Sequence, residues 1–415
     1  MSAGRNYALV TGAYWAFTLT DGALRMLVLL HFHTLGYGPV ELAFLFLFYE
    51  LFGVVTNLFG GYLAARTGLR TTLLWGLALQ VVALVALSST SPSWPKAASV
   101  AYVMAAQALS GVAKDLTKMS SKSAVKTLVP EGAESSLFRW VAVLTGSKNA
   151  LKGAGFFLGG LLLSTLGYRL SLWGMAAALA AILLGSTVSL PREMGKSKAK
   201  NKLAHLLSKD AGINRLSAAR FFLFGARDIW FVVAVPVFLA TSLGWGFSEV
   251  GGFLAAWVIG YGLIQSIAPA LLSAFTRGRA PGAGSARVLA FLLAAVMGIL
   301  PIALSANLGA GVTVLLGLGL FGVVFALNSS VHSYLVLAYS DGDKVAMNVG
   351  FYYMANAGGR LAGTLISGLA YGAFGLVGCL WASFAFAAMT AIVSLWLPPP
   401  RATLLLSESS VEASD

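Results

Sequence analysis

The sequence has few charged residues and almost no cysteine. Only 10% of the 415 residues are charged, whereas soluble domains average about 25%, so an ordinary soluble domain is excluded. The single cysteine, Cys379, excludes an internal disulfide. It also excludes a thiolate cluster for a soft metal, because such a cluster needs several sulfur ligands.

Residue types that carry out catalysis are scarce as well. The chain has four histidines, and they form no cluster with the cysteine or with a pair of acids. No glycine-rich nucleotide-binding loop is present, so ATP drive is not expected. An integral-membrane enzyme and a sensor with a soluble domain are therefore disfavoured. We expect no cofactor, no metal site and no nucleic-acid partner.

What the sequence contains instead is apolar residues in blocks about 20 residues long, the span of a bilayer core. Hydrophobic residues make up 58% of the chain, and the mean hydropathy is +0.81. The first block continues past Asp21 as a full helix, so no cleavable signal peptide is expected. We predict an all-α integral membrane protein with twelve transmembrane helices, near residues 6–32, 41–64, 71–89, 97–119, 137–165, 169–190, 213–241, 248–275, 286–305, 309–338, 344–374 and 376–397.

Basic residues lie almost entirely on one side of this predicted topology. The loops on the other side hold only Lys96 and Arg169. The positive-inside rule therefore places both termini in the cytoplasm. We expect the chain to lie in the inner (cytoplasmic) membrane of the cell. The predicted units are an N-terminal six-helix bundle at 1–190, a basic cytoplasmic linker at 191–212, a C-terminal six-helix bundle at 213–397 and a cytoplasmic tail at 398–415.

The two halves resemble each other in sequence. "LGYGPVEL" at 35–42 matches "LGWGFSEV" at 243–250, and each follows the first span of its half. A duplicated six-helix unit is the architecture of major facilitator transporters. The loop "GGYLAARTGLR" also resembles the gating-loop motif of that superfamily, although Ala65 stands where the motif has its acid. The matching residues are Gly61, Arg66, Gly68 and Arg70. Together these features predict the major facilitator fold.

Charged residues inside the predicted spans carry the functional argument. A charge in a membrane helix costs roughly 2.5–3.5 kcal/mol, so it faces a partner or a cavity. The central cations are Arg25, Lys114, Lys148, Lys152, Arg220, Arg227 and Arg360, and the acids are Asp21, Glu50, Asp115 and Asp228. Pairing, such as that of Asp21 with Arg25 one turn later, explains about half of these charges. The surplus of cations predicts a cavity that binds an anion.

Two arginines and two polar residues are the most specific candidates for substrate contacts. Arg25 and Arg227 lie on the first span of each half. Because guanidinium groups bind oxyanions bidentately, we expect these two to face each other across the cavity and hold a doubly charged oxyanion. Asn328 and His332, four residues apart on the tenth span, either hydrogen-bond the substrate or bond between helices.

The four intramembrane acids are candidate proton carriers. Their location leads us to predict proton antiport through Asp21, Glu50, Asp115 or Asp228. Exchange against external phosphate is the competing scheme. A protonophore distinguishes the two, because transport that survives full collapse of the proton gradient excludes proton antiport.

Four segments together resemble a narrower family, the organoarsenical-efflux permeases of the ArsJ type. They are "VTGAYWAFTLTDGALRMLVLLHFH" at 10–33, "QALSGVAKDLTKMSSKSAVKTLVP" at 107–130, "FRWVAVLTGSKNALKGAGFFLGG" at 138–160 and "SAARFFLFGARDIWFVVAVPVFL" at 217–239. The resemblance implies export of 1-arseno-3-phosphoglycerate, which glyceraldehyde-3-phosphate dehydrogenase forms from arsenate. It thus implies arsenate resistance and a functional pairing with that dehydrogenase. It supplies no substrate ligands, so the site residues rest on the charge argument alone.

A second transporter function fits the same residues. An organic-phosphate or sugar-phosphate exchanger would use the same arginines to bind its substrate. In either case we expect a monomer whose partners are a small anion and membrane lipid.

Overall fold

A computed structural model of the chain describes residues 3–125, 134–191, 210–276, 281–306, 309–339 and 345–399. Within these ranges the secondary structure is helical, and no strand occurs. The helices are α1 (Ala3–Thr34), α2 (Pro39–Leu45), α3 (Leu47–Thr67), α4 (Leu69–Ser88), α5 (Lys96–Val125), α6 (Glu134–Thr165), α7 (Gly167–Ser189), α8 (Ala211–Phe231), α9 (Ala234–Thr241), α10 (Phe247–Phe275), α11 (Ala283–Ser305), α12 (Ala310–Ala338) and α13 (Val345–Ser394).

Two predicted spans are each built from two helices. Helices α2 and α3 are interrupted only at Phe46, and α8 and α9 only at Val232 and Val233. Among the described residues, eight segments are long and apolar enough to cross a membrane, and both of these composite spans are among them. The three remaining long helices, α1, α5 and α6, are those that carry Asp21, Arg25, Lys114, Asp115, Lys148 and Lys152.

Helix α13 contains two membrane crossings rather than one. Gly375 inside it has φ 62° and ψ −158°, which no helix adopts. The thiol of Cys379 lies 3.5 Å from the carbonyl oxygen of Ser367, although twelve residues of straight helix would separate them by about 18 Å. The chain therefore reverses at Gly375, as the predicted spans 344–374 and 376–397 require. The twelve predicted spans are thereby all found as helices.

The helices pack as two groups. Helices α1 to α7 contact one another chiefly through α1 with α6, α4 with α5 and α3 with α5. Helices α8 to α13 do so chiefly through α8 with α13, α11 with α13 and α11 with α12. The groups meet along two seams, α6 with α10 and α2–α3 with α13. The predicted domain boundaries stay predictions, because residues 192–209 of the linker and 400–415 of the tail lie outside the described residues.

The repeated octapeptides form the same local structure in both halves. Gly36 and Gly244 have φ of 78° and 68°, conformations that favour glycine. Two residues later, the backbone N–H of Gly38 donates to Glu41 Oε2 at 2.7 Å, and that of Gly246 donates to Glu249 Oε2 at 2.7 Å. Each pair caps the N-terminus of the helix that follows. The sequence repeat is therefore a structural repeat.

The loop between α3 and α4 shows why its motif needs glycine and arginine. Gly68 has φ 86° between the two helices, and a side chain would be strained there. Arg70 Nη2 donates to the carbonyl oxygen of Thr187 at 2.8 Å, near the end of α7, so it caps a helix C-terminus as expected of a basic residue. The surroundings of Gly61 and Arg66 lie outside the described part of the structure.

Glycines in α6 let two helices, α1 and α10, approach it closely. A methyl group added at Gly155 would meet backbone atoms of Leu19 and Gly22 in α1, and one added at Gly160 would meet the backbone of Phe247 in α10. The small-residue segment 153–160 thus serves helix packing. In the predicted topology, the contact at Gly160 lies towards the outer ends of α6 and α10. It closes the two halves against each other there.

Replacing Gly160 with alanine should separate α6 from α10. The new Cβ would collide with the carbonyl oxygen of Phe247, and backbone atoms move aside only if a whole helix shifts. We expect a loss of stability of about 1–3 kcal/mol, measured by thermal unfolding of the purified protein in detergent. Gly174→Ala is the control, because its Cβ would meet nothing within 4 Å. Equal unfolding midpoints for the two variants would show that the helices are not in contact at Gly160.

Candidate functional site

A cavity of about 210 Å³ lies between the two groups of helices. Its walls come from α1, α3, α5 and α6 on one side and from α8, α10, α12 and α13 on the other. Its cationic lining residues are Arg25, Lys114, Lys118, Lys148, Lys152, Arg220, Arg227 and Arg360, and its acidic ones are Asp21, Asp115 and Asp228. With the buried Glu50 counted as a fourth acid, the cations still exceed the acids by four.

Glu50 binds two of these arginines at a single oxygen. Its carboxylate is fully buried behind the cavity wall. Arg360 Nη2 donates to Glu50 Oε1 at 2.6 Å, and Arg25 Nη1 donates to the same oxygen at 3.3 Å. The buried Arg25 and the partly buried Arg360 are thus compensated by one buried anion, which leaves this corner of the cavity positive.

Asp228 forms the second centre of the ion-pair network. Its Oδ1 accepts from Arg227 Nε at 2.6 Å, and its Oδ2 accepts from Arg360 Nε at 3.1 Å. The Arg360 guanidinium therefore links Glu50 on α3 with Asp228 on α8. One side chain joins the two helix groups at the level of the cavity.

The predicted pairing of Asp21 with Arg25 is wrong. Both oxygens of Asp21 accept from the hydroxyl of Tyr49, at 2.8 and 3.0 Å, while Arg25 turns to Glu50. Helical spacing placed the two residues on one face of α1, but a phenol from α3 reaches Asp21 instead. Tyr49 is a site residue that the charge argument missed, because it carries no charge.

Asp115 is held by several partners at the cavity wall. Lys118 Nζ lies 3.2 Å from its Oδ1, and Thr56 and Asn57 both donate to its Oδ2. Lys118 also donates to Asn57 Oδ1 at 2.8 Å. This cluster ties α3 to α5, so Asp115 has a structural role whatever else it does.

Lys114 and Lys152 differ from the other cations that line the cavity. Among the described residues, neither ammonium group forms a salt bridge or a hydrogen bond. Lys114 Nζ lies 4.1 Å from the centroid of the Tyr49 ring, and Lys152 Nζ lies 5.6 Å from that of Phe156. An aromatic face stabilises a cation but leaves its N–H donors available. These two side chains are therefore the best prepared to bind an anion.

Arg220 is held against the second group of helices. Its Nη1 donates to the hydroxyl of Ser329 at 2.9 Å, and its guanidinium lies 4.0 Å from the centroid of the Phe224 ring. Ser329 also accepts from Gln265 Nε2 at 3.2 Å. These neutral partners orient Arg220 and leave its charge uncompensated.

A further contact near Gln265 crosses between the two helix groups. Asn149 Nδ2 on α6 donates to Gln265 Oε1 on α10 at 3.1 Å, and both residues line the cavity. Lys148, the neighbour of Asn149, lines it as well. Uncharged polar residues such as Asn149 and Gln265 give little signal in a sequence. Their contact across the two helix groups could not be predicted from it.

Asn328 and His332 do not line the cavity. Both are fully buried, and within the described structure their side-chain nitrogen and oxygen atoms have no hydrogen-bond partner. The shared helix face predicted for them is real, but it does not bring them to the place where a substrate would enter. Direct substrate binding by these two residues is therefore not supported by their position.

The comparisons with known proteins agree with this architecture. The sequence profile of the family described as Major Facilitator Superfamily matches residues 10–336. No curated protein matches the chain in a sequence search. The family match spans most of the chain, and the described part of the structure is an all-helical membrane bundle with a cavity between its two helix groups. The chain therefore belongs to the major facilitator superfamily of secondary membrane transporters.

Proposed function

We propose that this transporter exports the organoarsenical anion 1-arseno-3-phosphoglycerate and thereby confers resistance to arsenate. The observation that carries the anionic part of the proposal is the surplus of cations around the cavity, together with two lysines, Lys114 and Lys152, that have no acidic partner among the described residues. The arsenical part rests on the resemblance of four segments to organoarsenical-efflux permeases.

The chemistry of the proposed cargo suits such a cavity. The molecule carries a phosphate group at one end and an arsenate group at the other, so both ends are oxyanions. Ammonium and guanidinium groups are the usual protein partners of such oxyanions, and in a site poor in water their charge-assisted hydrogen bonds are strong. Lys114 and Lys152 supply donors that are not already in use, and Arg25, Arg227 and Arg360 supply donors that an anion can share with Glu50 and Asp228.

Export of this cargo needs only a modest driving force. The acyl arsenate is unstable and releases arsenate once outside, so the outward concentration gradient of the ester is maintained. An inside-negative membrane potential also favours outward movement of an anion, by about 2.3 kcal/mol per charge at 100 mV. Glyceraldehyde-3-phosphate dehydrogenase would supply the ester on the cytoplasmic side. We place the protein in the inner membrane with both termini in the cytoplasm.

An organic-phosphate or sugar-phosphate exchanger remains the second candidate. The same cations would bind a phosphate ester, and the described residues that line the cavity include none that selects arsenic over phosphorus. A transport assay therefore has to separate the two cargoes directly.

Everted vesicles that contain the protein should accumulate arsenic only when the ester is made. We would supply glyceraldehyde-3-phosphate, NAD, arsenate and glyceraldehyde-3-phosphate dehydrogenase, and then follow arsenic inside the vesicles. Uptake that requires both the dehydrogenase and its triose substrate is the expected result. Uptake of labelled phosphoglycerate together with no dehydrogenase-dependent uptake of arsenic would contradict arsenical transport and favour the exchanger.

Lys152→Gln should reduce anion uptake in the same vesicles. A hydrogen bond to a charged group contributes about 1.5–3 kcal/mol, so we expect roughly a tenfold to hundredfold loss of apparent affinity. Lys96→Gln is the matched control, because that lysine lies at the outer end of α5, beside Glu41 and away from the cavity. If both variants transport equally, the ammonium group of Lys152 does not contact the substrate.

A further inference from the structure

Glu50 has one carboxylate oxygen in use and one without a partner. Its Oε1 accepts from both Arg25 and Arg360. Its Oε2 is fully buried and, within the described structure, receives no hydrogen bond. A buried carboxylate oxygen that lacks a donor destabilises the folded protein, because it has lost its hydrogen bonds to water and no protein donor replaces them. The same oxygen is a place where a proton can bind.

The other three acids of the site are arranged differently. Each has both of its oxygens engaged by a donor: Asp21 by Tyr49, Asp115 by Lys118, Thr56 and Asn57, and Asp228 by Arg227 and Arg360. Among the four intramembrane acids, the unpartnered oxygen is found on Glu50. The structure thus separates residues that the sequence alone treats as equivalent.

Positive groups from several helices surround the Glu50 carboxylate. The cations around its carboxylate are those of Arg360, Lys114, Arg25 and Lys152, and the two arginines donate to its Oε1. They come from α13, α5, α1 and α6, so cations surround the carboxylate from four helices. Each of these cations also lines the cavity. An anion that enters the cavity therefore competes with Glu50 for the same positive groups.

We propose that Glu50 is the proton-binding group of this transporter and that it takes up a proton when an anion binds. The inference rests on the proposed anion transport. As the anion draws Arg25 and Arg360 towards itself, the Glu50 carboxylate loses its compensating charges. A buried, uncompensated carboxylate is far less stable than the neutral acid. A hydrated proton then passes from the water that carries it to Oε2, so one O–H bond breaks and one forms, and no other covalent bond changes.

This linkage fixes the direction of coupling. Anion binding favours proton binding, and by reciprocity proton binding favours anion binding. A proton that binds together with the anion crosses the membrane with it. The geometry therefore points to cotransport of proton and anion, the opposite of the antiport that the intramembrane acids suggest in the sequence. Export then runs on the outward gradient of the anion itself.

Calorimetry on the purified wild-type protein tests the proposal. We would titrate 3-phosphoglycerate at about pH 7.5, where a phosphate monoester has already lost its second proton, in two buffers with different heats of ionisation. The difference in binding heat gives the number of protons exchanged. We expect uptake of about one proton per anion. Anion binding without proton uptake would overturn the role of Glu50 but leave the anion site intact. Absence of binding would overturn the anion site and, with it, this inference.

Two variants assign the proton to a residue. Glu50→Gln mimics the protonated acid, so it should bind the anion about tenfold more tightly and take up no proton. Glu249→Gln is the matched control, because its carboxylate is exposed at the outer end of α10. It should take up the proton as the wild type does. Unchanged proton uptake in Glu50→Gln would assign the proton to another group.

Discussion

The Arg360 guanidinium, shared between Glu50 and Asp228, is the interaction on which the rest of the site depends. Its two acids belong to different helix groups, so one partly buried cation both joins the halves and helps to neutralise an acid of each. A buried ion pair contributes little net stability, but the loss of one partner is strongly unfavourable. The contact can therefore open only when something else compensates the charges. We propose that an anion in the cavity and a proton on Glu50 together provide that compensation.

The cations of the cavity divide into two sets with different roles. Arg25, Arg227 and Arg360 are neutralised in part by acids, and we propose that they change partners when an anion binds. Lys114 and Lys152 lie near aromatic rings, so their N–H donors are available to an anion without a change of partner. In the proposed mechanism, the arginines of the first set couple anion binding to a change in the ion pairs. The lysines of the second set attract the anion into the cavity. Both sets are needed in a transporter that binds an anion and then rearranges around it.

Most of the fold could be predicted from the sequence. For the site, the charged residues could be predicted, but not the residues that they contact. Hydropathy identified the spans, and the repeated octapeptide indicated the two related halves. The charge asymmetry of the loops predicted the orientation. Each of these signals depends on residues close together in the chain. Site residues could be recognised by their charge within apolar spans, but their partners could not. Glu50 and Arg360 lie 310 residues apart, and Tyr49 displaced Arg25 as the partner of Asp21. Helical periodicity predicted that Asn328 and His332 share a face of their helix. It could not predict that these two residues do not line the cavity.

A structure of the protein with 3-phosphoglycerate bound would test the central claim most directly. The account predicts the anion in the cavity, with an oxygen within hydrogen-bond distance of Lys114 or Lys152 and with Arg360 withdrawn from Glu50. An anion bound elsewhere, or a cavity that stays empty at saturating ligand with Arg360 still between Glu50 and Asp228, would contradict it.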